Sequence, residues 1–309
     1  MRAIVLGSAA GGGFPQWNCG CPNCVAVREG RSGYLARTQD SIALTSSADP
    51  TSGRFVLVNT SPEILAQIQN TRALWPRAPR HSPIAAIVLT NGDMDHVLGL
   101  FSLRESWPLA LYVTASVRRG LEASAFIRTL RRFEGQLVVR ELELGRRVDL
   151  ADVSGEPLGL SVVPMPMAGK LPVHFVGHAT AAPEDNVALS FTDESGRSLV
   201  YAAAGASADV DLEGHDVVLF DGTFYRDDEL VSLGLSKARA RDMAHVPIGG
   251  PTGSLARLVN LKARRIYTHV NNTNPILAPG SAERRVVEDA GWEVAFDGME
   301  IVLEGGATT

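Results

Sequence analysis

The sequence predicts an α/β protein in which a mixed sheet, arranged as two sheets, is flanked by helices. Two observations support this fold class: short apolar, β-branched runs recur along the whole chain, and segments with helical spacing separate some of them. A third observation concerns domain organisation. No internal repeat, low-complexity linker or shift in composition marks a boundary, so residues 1–309 are expected to form a single domain.

The predicted strands are runs of apolar and β-branched residues bounded by polar turns. Their spread makes the chain rich in strands, with helices interspersed. They cover residues 4–6, 55–58, 84–89, 111–113, 137–139, 160–163, 187–191, 199–201, 217–220, 266–270 and 301–303.

Helix signals fall between some of these strands. Ser61 is predicted to cap a helix that runs to Asn70, because a proline and an acidic residue follow in its first turn. Residues 281–290 are predicted to form a helix that ends at Gly291, since glycine readily adopts the left-handed conformation that closes a helix. The other segments with helical character are 115–133 and 252–263.

The composition is that of an ordinary globular protein, with 45% hydrophobic and 20% charged residues. The net charge of −5 argues against a nucleic-acid surface, and the arginines between 118 and 140 are predicted to be a solvated helical face. The amino terminus lacks the long apolar core of a secretory signal, and no run approaches the roughly 20 apolar residues of a membrane span. The protein is therefore expected to be soluble and cytoplasmic.

A glycine-rich stretch, residues 7–13, follows the first predicted strand. Such a stretch can form a phosphate-binding loop when it leads into a helix. Here Phe14 and Pro15 follow, and no Lys-Ser or Lys-Thr pair is present. Glycines that let the backbone pass close to a site are the favoured interpretation.

Three cysteines lie within six positions, in the pattern Cys-x-Cys-x-x-Cys: Cys19, Cys21 and Cys24. Thiolates at this spacing can converge on one soft cation, and zinc is the usual occupant of such a site. Residues 19–24 are therefore predicted to form a structural zinc loop. The fourth ligand stays open between a distant histidine, an Asn or Asp side chain and water.

The stretch TNGDMDH, residues 90–96, follows a buried apolar run. It places Asp93, Asp95 and His96 within four positions, which is typical either of a solvated turn or of a metal site. Adjacent Asp95 and His96 side chains can chelate one cation if the turn directs both into the same cavity. Asp93 either coordinates the cation directly or interacts with the residues that coordinate it.

Further polar side chains stand at or beside the ends of later apolar runs: Asp221, His245 and His269. This repeated placement predicts a site on one rim of a sheet. His178 is a weaker candidate for the same site. The other histidines, His81, His174 and His215, lie in loop-like sequence and are expected at the surface.

The stretch from Thr90 to His96 resembles the His-x-His-x-Asp-His signature of the metallo-β-lactamase superfamily, with both leading histidines replaced. The cysteine motif, FDGTF at 220–224 and THVNNTNP at 268–275 narrow the resemblance to the pyrroloquinoline quinone (PQQ) biosynthesis protein B family. It extends from residue 1 to about residue 303. The resemblance implies a metallo-β-lactamase-like four-layer αβ/βα sandwich with its site on the loop rim between two sheets.

The resemblance also implies a function in PQQ biosynthesis. One expectation is an Fe(II)- and O2-dependent hydroxylase that acts on the tyrosine ring of a small Glu- and Tyr-derived precursor, alongside other PQQ biosynthesis proteins. The alternative is a non-catalytic carrier that helps transport PQQ or its precursor to the periplasm. A residual hydrolase is least favoured, because the lost histidines remove most of one metal site of the usual dinuclear centre.

The site residues follow from the resemblance, position by position. Asp95, His96 and His269 are expected to bind Fe(II), since two histidines and one carboxylate are the ligands of Fe(II) oxygenases. Asp93 and Asp221 are expected close to the metal, as further ligands or catalytic groups. Asn91 is expected to bind the cofactor, and His245, paired with Asp221, to be the acid/base.

Overall fold

The computed structural model describes residues 1–177, 180–205 and 210–304. Two seven-stranded sheets pack face to face, and helices cover the outer face of each sheet, which confirms the predicted four-layer αβ/βα sandwich. The strands are β1 (Arg2–Gly7), β2 (Ser41–Thr45), β3 (Phe55–Val58), β4 (Ile84–Val88), β5 (Leu109–Thr114), β6 (Leu137–Leu142), β7 (Val148–Ala151), β8 (Pro157–Pro166), β9 (Val187–Asp193), β10 (Ser198–Ala202), β11 (Val217–Asp221), β12 (Arg264–Thr268), β13 (Trp292–Val294) and β14 (Glu300–Val302).

The two sheets have matching strand patterns. The first sheet has the order β14-β1-β2-β3-β4-β5-β6, and the second has the order β13-β12-β11-β10-β9-β8-β7. In the first sheet the strands from β3 to β6 are parallel, and in the second those from β10 to β13 are parallel. The remaining pairs are antiparallel. Each sheet is thus mixed, as the sequence predicts.

The strands are apolar runs because most are buried on both faces. In β1, Val5 points into the core between the sheets, whereas Ile4 and Leu6 face the outer helices. Tyr201 and Leu219 meet the first sheet from the second. Burying one such aliphatic side chain contributes roughly 1.5–3 kcal/mol, so the core between the sheets holds the two halves together.

The helices are short and lie mostly outside the sheets. They are α1 (Pro22–Arg28), α2 (Ile64–Asn70), α3 (Met94–Val97), α4 (Ala115–Ala123), α5 (Ala125–Leu130), α6 (Glu229–Ser232), α7 (Ser254–Arg257) and α8 (Ala282–Asp289). Short 3₁₀ turns cover Arg72–Leu74, Leu98–Leu103, Val173–Phe175, Arg241–Met243 and Pro275–Leu277. No helix among the described residues is long and apolar enough to cross a membrane.

The helix predictions are confirmed in part. Ser281 caps α8 by accepting a hydrogen bond from the Arg284 N–H at 3.0 Å, and Gly291 follows it with φ +77°. The predicted helix at 115–133 is two helices, because the backbone of Ser124 is extended and its side chain caps α5. The prediction at 252–263 was wrong beyond a single turn, α7, and α2 begins at Ile64 instead of directly after Ser61.

Each predicted strand corresponds to a strand of the structure. The predicted run 266–270 extends too far, because β12 ends at Thr268 and His269 has a left-handed backbone. Three strands were missed: β2, β7 and β13. Arg140 is not on a helical face as expected; it lies on β6 and donates hydrogen bonds to the carbonyl oxygens of Ala151 and Asp152.

Candidate metal centre

The site lies where strands of both sheets end at the same rim. After β4, the chain turns into α3, which carries Asp95 and His96. From the second sheet, Asp221 is the last residue of β11 and His269 directly follows β12. Asp95 and His269, which are far apart in the sequence, therefore line one cavity of about 390 Å³.

Asp95, His96 and His269 form a compact group of potential metal ligands. One donor atom from each lies within 4.8 Å of the other two. The Oδ2 atom of Asp95 is 3.3 Å from His269 Nε2 and 3.9 Å from His96 Nε2. The structure thus brings the three predicted ligands together.

His96 is oriented by groups behind it. Its Nδ1 lies 2.7 Å from the side-chain oxygen of Asn91 and 3.3 Å from the hydroxyl of Thr90. With Nδ1–H donating to Asn91, the lone pair of Nε2 is free. That Nε2 atom is buried and has no hydrogen-bond partner among the described residues, a costly arrangement that a metal ion would relieve. The donor set therefore fits a metal.

Asn91 lies behind His96, with both ends of its amide engaged. Besides facing His96, the side-chain oxygen accepts a hydrogen bond from the backbone N–H of Asp93 at 3.0 Å. The amide nitrogen donates to the side-chain oxygen of Asn186 at 3.2 Å. These contacts fix the loop between β4 and α3 and hold the His96 ring in one tautomer.

His269 is oriented in the same way from the second sheet. Its Nδ1 lies 2.8 Å from the hydroxyl of Thr223 and 3.6 Å from Oδ1 of Asp221, which leaves Nε2 facing Asp95. The backbone of His269 has φ +55°, an unfavourable value for a non-glycine residue that is typical of functional sites. Thr223 was missed by the sequence analysis, although it lies in the FDGTF motif.

Asp221 supports two imidazoles at once. Its Oδ2 lies 3.0 Å from Nδ1 of His245, and its Oδ1 accepts the Thr223 hydroxyl at 2.5 Å. Asp221, His245 and His269 form a second group whose donor atoms lie within 4.8 Å. Because Asp221 lies nearest to the Nδ1 side of His269, which also contacts Thr223, Asp221 is placed to orient histidines rather than to complete the first group.

Burial and charge separate the pKa values of the site. Burial alone would raise the pKa of Asp95, but His96 and His269 outweigh it and hold that pKa well below its usual range. Burial lowers the pKa of His96 to about 4. Burial also opposes the charge of His269, yet the hydrogen bond that His269 donates to Asp95, together with the charges of nearby carboxylates, raises its pKa to about 9. Burial and the charge of Asp95 raise the pKa of Asp93 to about 6.

A buried carboxyl group that the sequence analysis missed, Asp40, lies between the sheets below the site. It accepts hydrogen bonds from the hydroxyls of Tyr201 and Thr268, the latter at 2.6 Å. Thr268 directly precedes His269, so Asp40 ties the end of β12 to the first sheet. Burial raises the pKa of Asp40 to about 6. Asp40 directly precedes β2, a strand that was not predicted, so no pattern in the sequence pointed to this role.

The predicted cysteine site is also assembled. The sulfur atoms of Cys19, Cys21 and Cys24 lie within 4.8 Å of one another, although Cys24 belongs to α1 rather than to the loop. The side-chain nitrogen of Asn272 lies 3.3 Å from Cys24 Sγ and 3.7 Å from Cys21 Sγ. Burial and the neighbouring thiols raise the pKa of Cys21 to about 12. Through these contacts with Asn272, the cysteine group packs against the segment that follows His269.

The cavity wall agrees with one expectation and corrects another. Gly11 lets the backbone approach the site, because a Cβ there would lie 3.3 Å from Oδ2 of Asp95. His174, expected to be a surface residue, is half-buried and lines the cavity together with Asp93 and His245. His215 is also half-buried, and its Nε2 lies 2.8 Å from the Ser190 hydroxyl. His178 lies outside the described residues.

Comparisons with known proteins identify the family. Residues 54–270 match the family model described as "Beta-lactamase superfamily domain". A protein of Methylobacterium nodulans named "Coenzyme PQQ synthesis protein B" is 41% identical, and the match covers 98% of this chain and 100% of that protein. A protein of the same name from Cupriavidus necator is 44% identical over 97% of this chain and 98% of that protein.

Solved structures agree with this assignment. The structure of Zn(2+)-bound PqqB from Methylobacterium extorquens matches with a TM-score of 0.87 and 37% identity, covering 98% of this chain and all of that one. A diphosphatase from the PhnP family matches with a TM-score of 0.67 over 97% of both chains, but at 21% identity it shares only the fold. The chain therefore belongs to the coenzyme PQQ synthesis protein B family, within the β-lactamase superfamily.

Proposed function

We propose that the protein acts in PQQ biosynthesis as a mononuclear Fe(II)- and O2-dependent hydroxylase of a tyrosine ring in a Glu- and Tyr-derived precursor. The observation that carries this proposal is the convergence of two histidines and one carboxylate, with the buried Nε2 of His96 unpartnered. This is the ligand composition of Fe(II) oxygenases, which leave coordination positions open for oxygen and substrate.

A single metal ion is favoured over a hydrolytic pair by the residues that replace the leading histidines. Asn91 uses its oxygen for His96 and its nitrogen for Asn186, so neither end of the amide is free to bind a second ion. Asp93 lines the cavity but belongs to neither group of potential ligands that includes His269. A water-activating dinuclear centre therefore lacks ligands on this side.

Fe(II), when bound by Asp95, His96 and His269, would supply the activation of O2. In the overall reaction one ring C–H becomes C–OH and the second oxygen atom leaves as water, with two electrons and two protons from an external reductant such as ascorbate. The chain's own contribution is to place the ring and to move protons. Asp221 accepts from Nδ1–H of His245, so His245 Nε2 can take the proton of a phenol in the cavity.

Asp93 is a second group suited to proton exchange. It lies at the cavity, and burial beside Asp95 raises its pKa to about 6, close to neutral pH. Its backbone is held by Asn91, which keeps the carboxyl group next to the ligands. We assign Asp93 to proton transfer and Asn91 to support of the metal through His96.

The three cysteines are assigned to a structural zinc ion. Their sulfur atoms converge, and the Zn(2+)-bound structure of the Methylobacterium extorquens relative supports a zinc ion in the family. The amide nitrogen of Asn272 faces Cys21 and Cys24 as a hydrogen-bond donor to their sulfur atoms, so the fourth ligand stays open.

The decisive experiment measures O2 uptake by protein purified anaerobically and reloaded with Fe(II), with ascorbate and a Glu-Tyr dipeptide. We expect uptake that depends on Fe(II) and on the dipeptide, and a product whose mass is increased by one oxygen atom. His269→Ala and Zn(II)-loaded protein are the controls and should show neither. If uptake is absent while metal-free protein binds PQQ tightly, the carrier function replaces the hydroxylase.

A further inference from the structure

Residues 167–175, here called the strap, pass along the mouth of the metal-centre cavity. The strap follows β8 and ends in the 3₁₀ turn Val173–Phe175. Four of its residues line the cavity: Gly169, Lys170, Val173 and His174. The strap thus forms a part of the cavity wall that contains none of the proposed metal ligands.

One end of the strap is anchored to the second sheet. Met167 is 3% exposed, and its backbone N–H donates to the carbonyl oxygen of Asn186 at 3.0 Å. Its side chain occupies the space above Gly205, where a Cβ would lie 1.7 Å from Met167 Cε. Gly169 passes so close to Asn186 that a Cβ would lie 2.6 Å from the Asn186 Cβ.

The other end is anchored to the loop that carries the metal ligands. The ring of Phe175 is 1% exposed and fits between two glycines. A Cβ on Gly92 would lie 2.2 Å from the ring, and one on Gly120 would lie 2.3 Å from it. Gly92 belongs to the loop between β4 and α3, so the position of the strap is fixed relative to the metal centre.

Between these anchors the strap presents basic groups to an acidic cavity. Lys170 is the single lysine or arginine among the described residues that line the cavity, and its charge acts on Asp93. The Nε2 atom of His174 is buried without a hydrogen-bond partner among residues 1–177, 180–205 and 210–304. An unpartnered nitrogen and an ammonium group from residues that line the same cavity are suited to an anion that bridges the two.

We infer that Lys170 and His174 bind a carboxylate of the substrate and thereby hold its ring at the metal centre. The inference rests on the proposed function for the identity of the substrate, a Glu- and Tyr-derived molecule rich in carboxylates. It does not depend on the oxidative step. The competing explanation is that Lys170 serves only to neutralise Asp93, which would make ligand binding indifferent to the carboxylates.

The test measures binding without turnover. Zn(II)-loaded protein is titrated by calorimetry with Glu-Tyr and with Gln-Tyr-amide, in which both carboxylates are replaced by amides. Wild-type protein should bind Glu-Tyr about ten- to a hundredfold more tightly, as expected for charge-assisted hydrogen bonds. Lys170→Gln and His174→Gln should each lose most of this preference. Lys262→Gln, which changes an exposed lysine outside the cavity, should keep it.

The outcomes separate this inference from the hydroxylase proposal. Equal binding of the two probes by the wild type, no binding of either probe, or an unchanged preference in Lys170→Gln would each overturn the role of the strap. None of these results depends on O2 or on iron. Conversely, a protein that fails to consume O2 but shows the expected carboxylate preference would retain the strap assignment and lose the hydroxylase. Thermal melting of each variant checks that the fold is retained.

Discussion

At the level of single residues, the histidines of the candidate metal centre are oriented by neighbouring side chains at their Nδ1 atoms. Asn91, Thr223 and Asp221 face the Nδ1 atoms of the three histidines and thereby direct each Nε2. Such supporting contacts fix the tautomer and increase the basicity of the ligand. The sequence identified Asp221 and Asn91 as site residues, but it could not show that they act from behind the histidines.

Replacing Asn91 with Ala should weaken metal binding at the centre by roughly ten- to a hundredfold, because His96 would lose its principal Nδ1 partner. Competition with a chromophoric chelator gives the affinity. Asn91→Asp keeps an oxygen at the same place and should remain closer to the wild type. Wild-type affinity in Asn91→Ala would show that the hydrogen bond does not support the ligand.

Replacing Asp40 with Asn should change how stability depends on pH. The pKa of Asp40 is raised in the folded protein to about 6, so the cost of burying its charge is absent below the unfolded value of 3.8 and fully present above about pH 6. Stability of the wild type should therefore fall relative to the variant as pH rises through this window, by at most about 3 kcal/mol.

Urea unfolding of both metal-free proteins at about pH 4.5 and about pH 7.5 measures this difference. Asp193→Asn is a useful comparison. Burial alone would raise the pKa of Asp193, but its hydrogen bonds with the amino terminus and Ser195 outweigh burial and lower that pKa. Its stabilising contribution should be lost as pH falls. A stability difference between Asp40→Asn and wild type that is the same at both pH values would contradict the assignment.

At the level of elements, the predicted strands and helices differ from the observed ones where tertiary contacts determine the local structure. The apolar runs of β4 and β11 can be recognised as strands from the sequence. β7 and β13 are only four and three residues long, too short for their periodicity to predict a strand. Directly before the single turn α7, a Cβ on Gly253 would lie 2.3 Å from the carbonyl oxygen of Gly249, so the backbone segments come too close there for any residue but glycine. Helical spacing in the sequence does not reveal such a close approach.

The cysteine group and the segment after His269 form one packing unit. Asn23 donates hydrogen bonds to the carbonyl oxygens of Asn272 and Asn274, and Asn272 contacts the thiols of Cys21 and Cys24. Residues 19–24 therefore support the segment that positions His269. The sequence predicted both sites but gave no indication that they are adjacent.

Replacing Cys24 with Ser should remove the zinc of the cysteine group and also weaken metal binding at the centre by about tenfold, the scale expected for lost support of a ligand. Elemental analysis gives the metal content, and a titration gives the remaining affinity. His269→Ala is the matched control, since it should lose the centre's metal and keep the zinc. Unchanged affinity at the centre in Cys24→Ser would show that the two sites are independent.

At the level of the whole molecule, the metal centre joins the two sheets. Asp95 and His96 come from the first sheet and His269 from the second, and Asp40 makes a second bridge beneath them. The four-layer fold could be expected from the sequence because the family resemblance fixes strand order. The local sequence pattern alone predicts the strands but not the sheet to which each strand belongs. The position of His174 at the cavity could not be predicted for the same reason, because it depends on the packing of Phe175 between two glycines that are distant in the sequence.

Binding of Zn(II) or Fe(II) at the centre should therefore raise the global melting temperature rather than order a loop alone. At a free metal concentration of about 100 times Kd, stability should increase by about 2.7 kcal/mol. Calorimetric melting of protein that already holds its cysteine-site zinc measures this effect, with His269→Ala as the control. A rise of equal size in His269→Ala would place the stabilising metal elsewhere.

The separation of Asp95 and His269 along the chain, 174 residues, has a consequence for biogenesis. On a ribosome that adds about 5–20 residues per second, roughly 10 to 35 s pass between the emergence of these two residues. The cysteines at 19–24 leave the exit tunnel before either, when no competing histidine cluster exists. The three thiols, which are the softer metal ligands, are thus available to a cation before the group of Asp95, His96 and His269 can form.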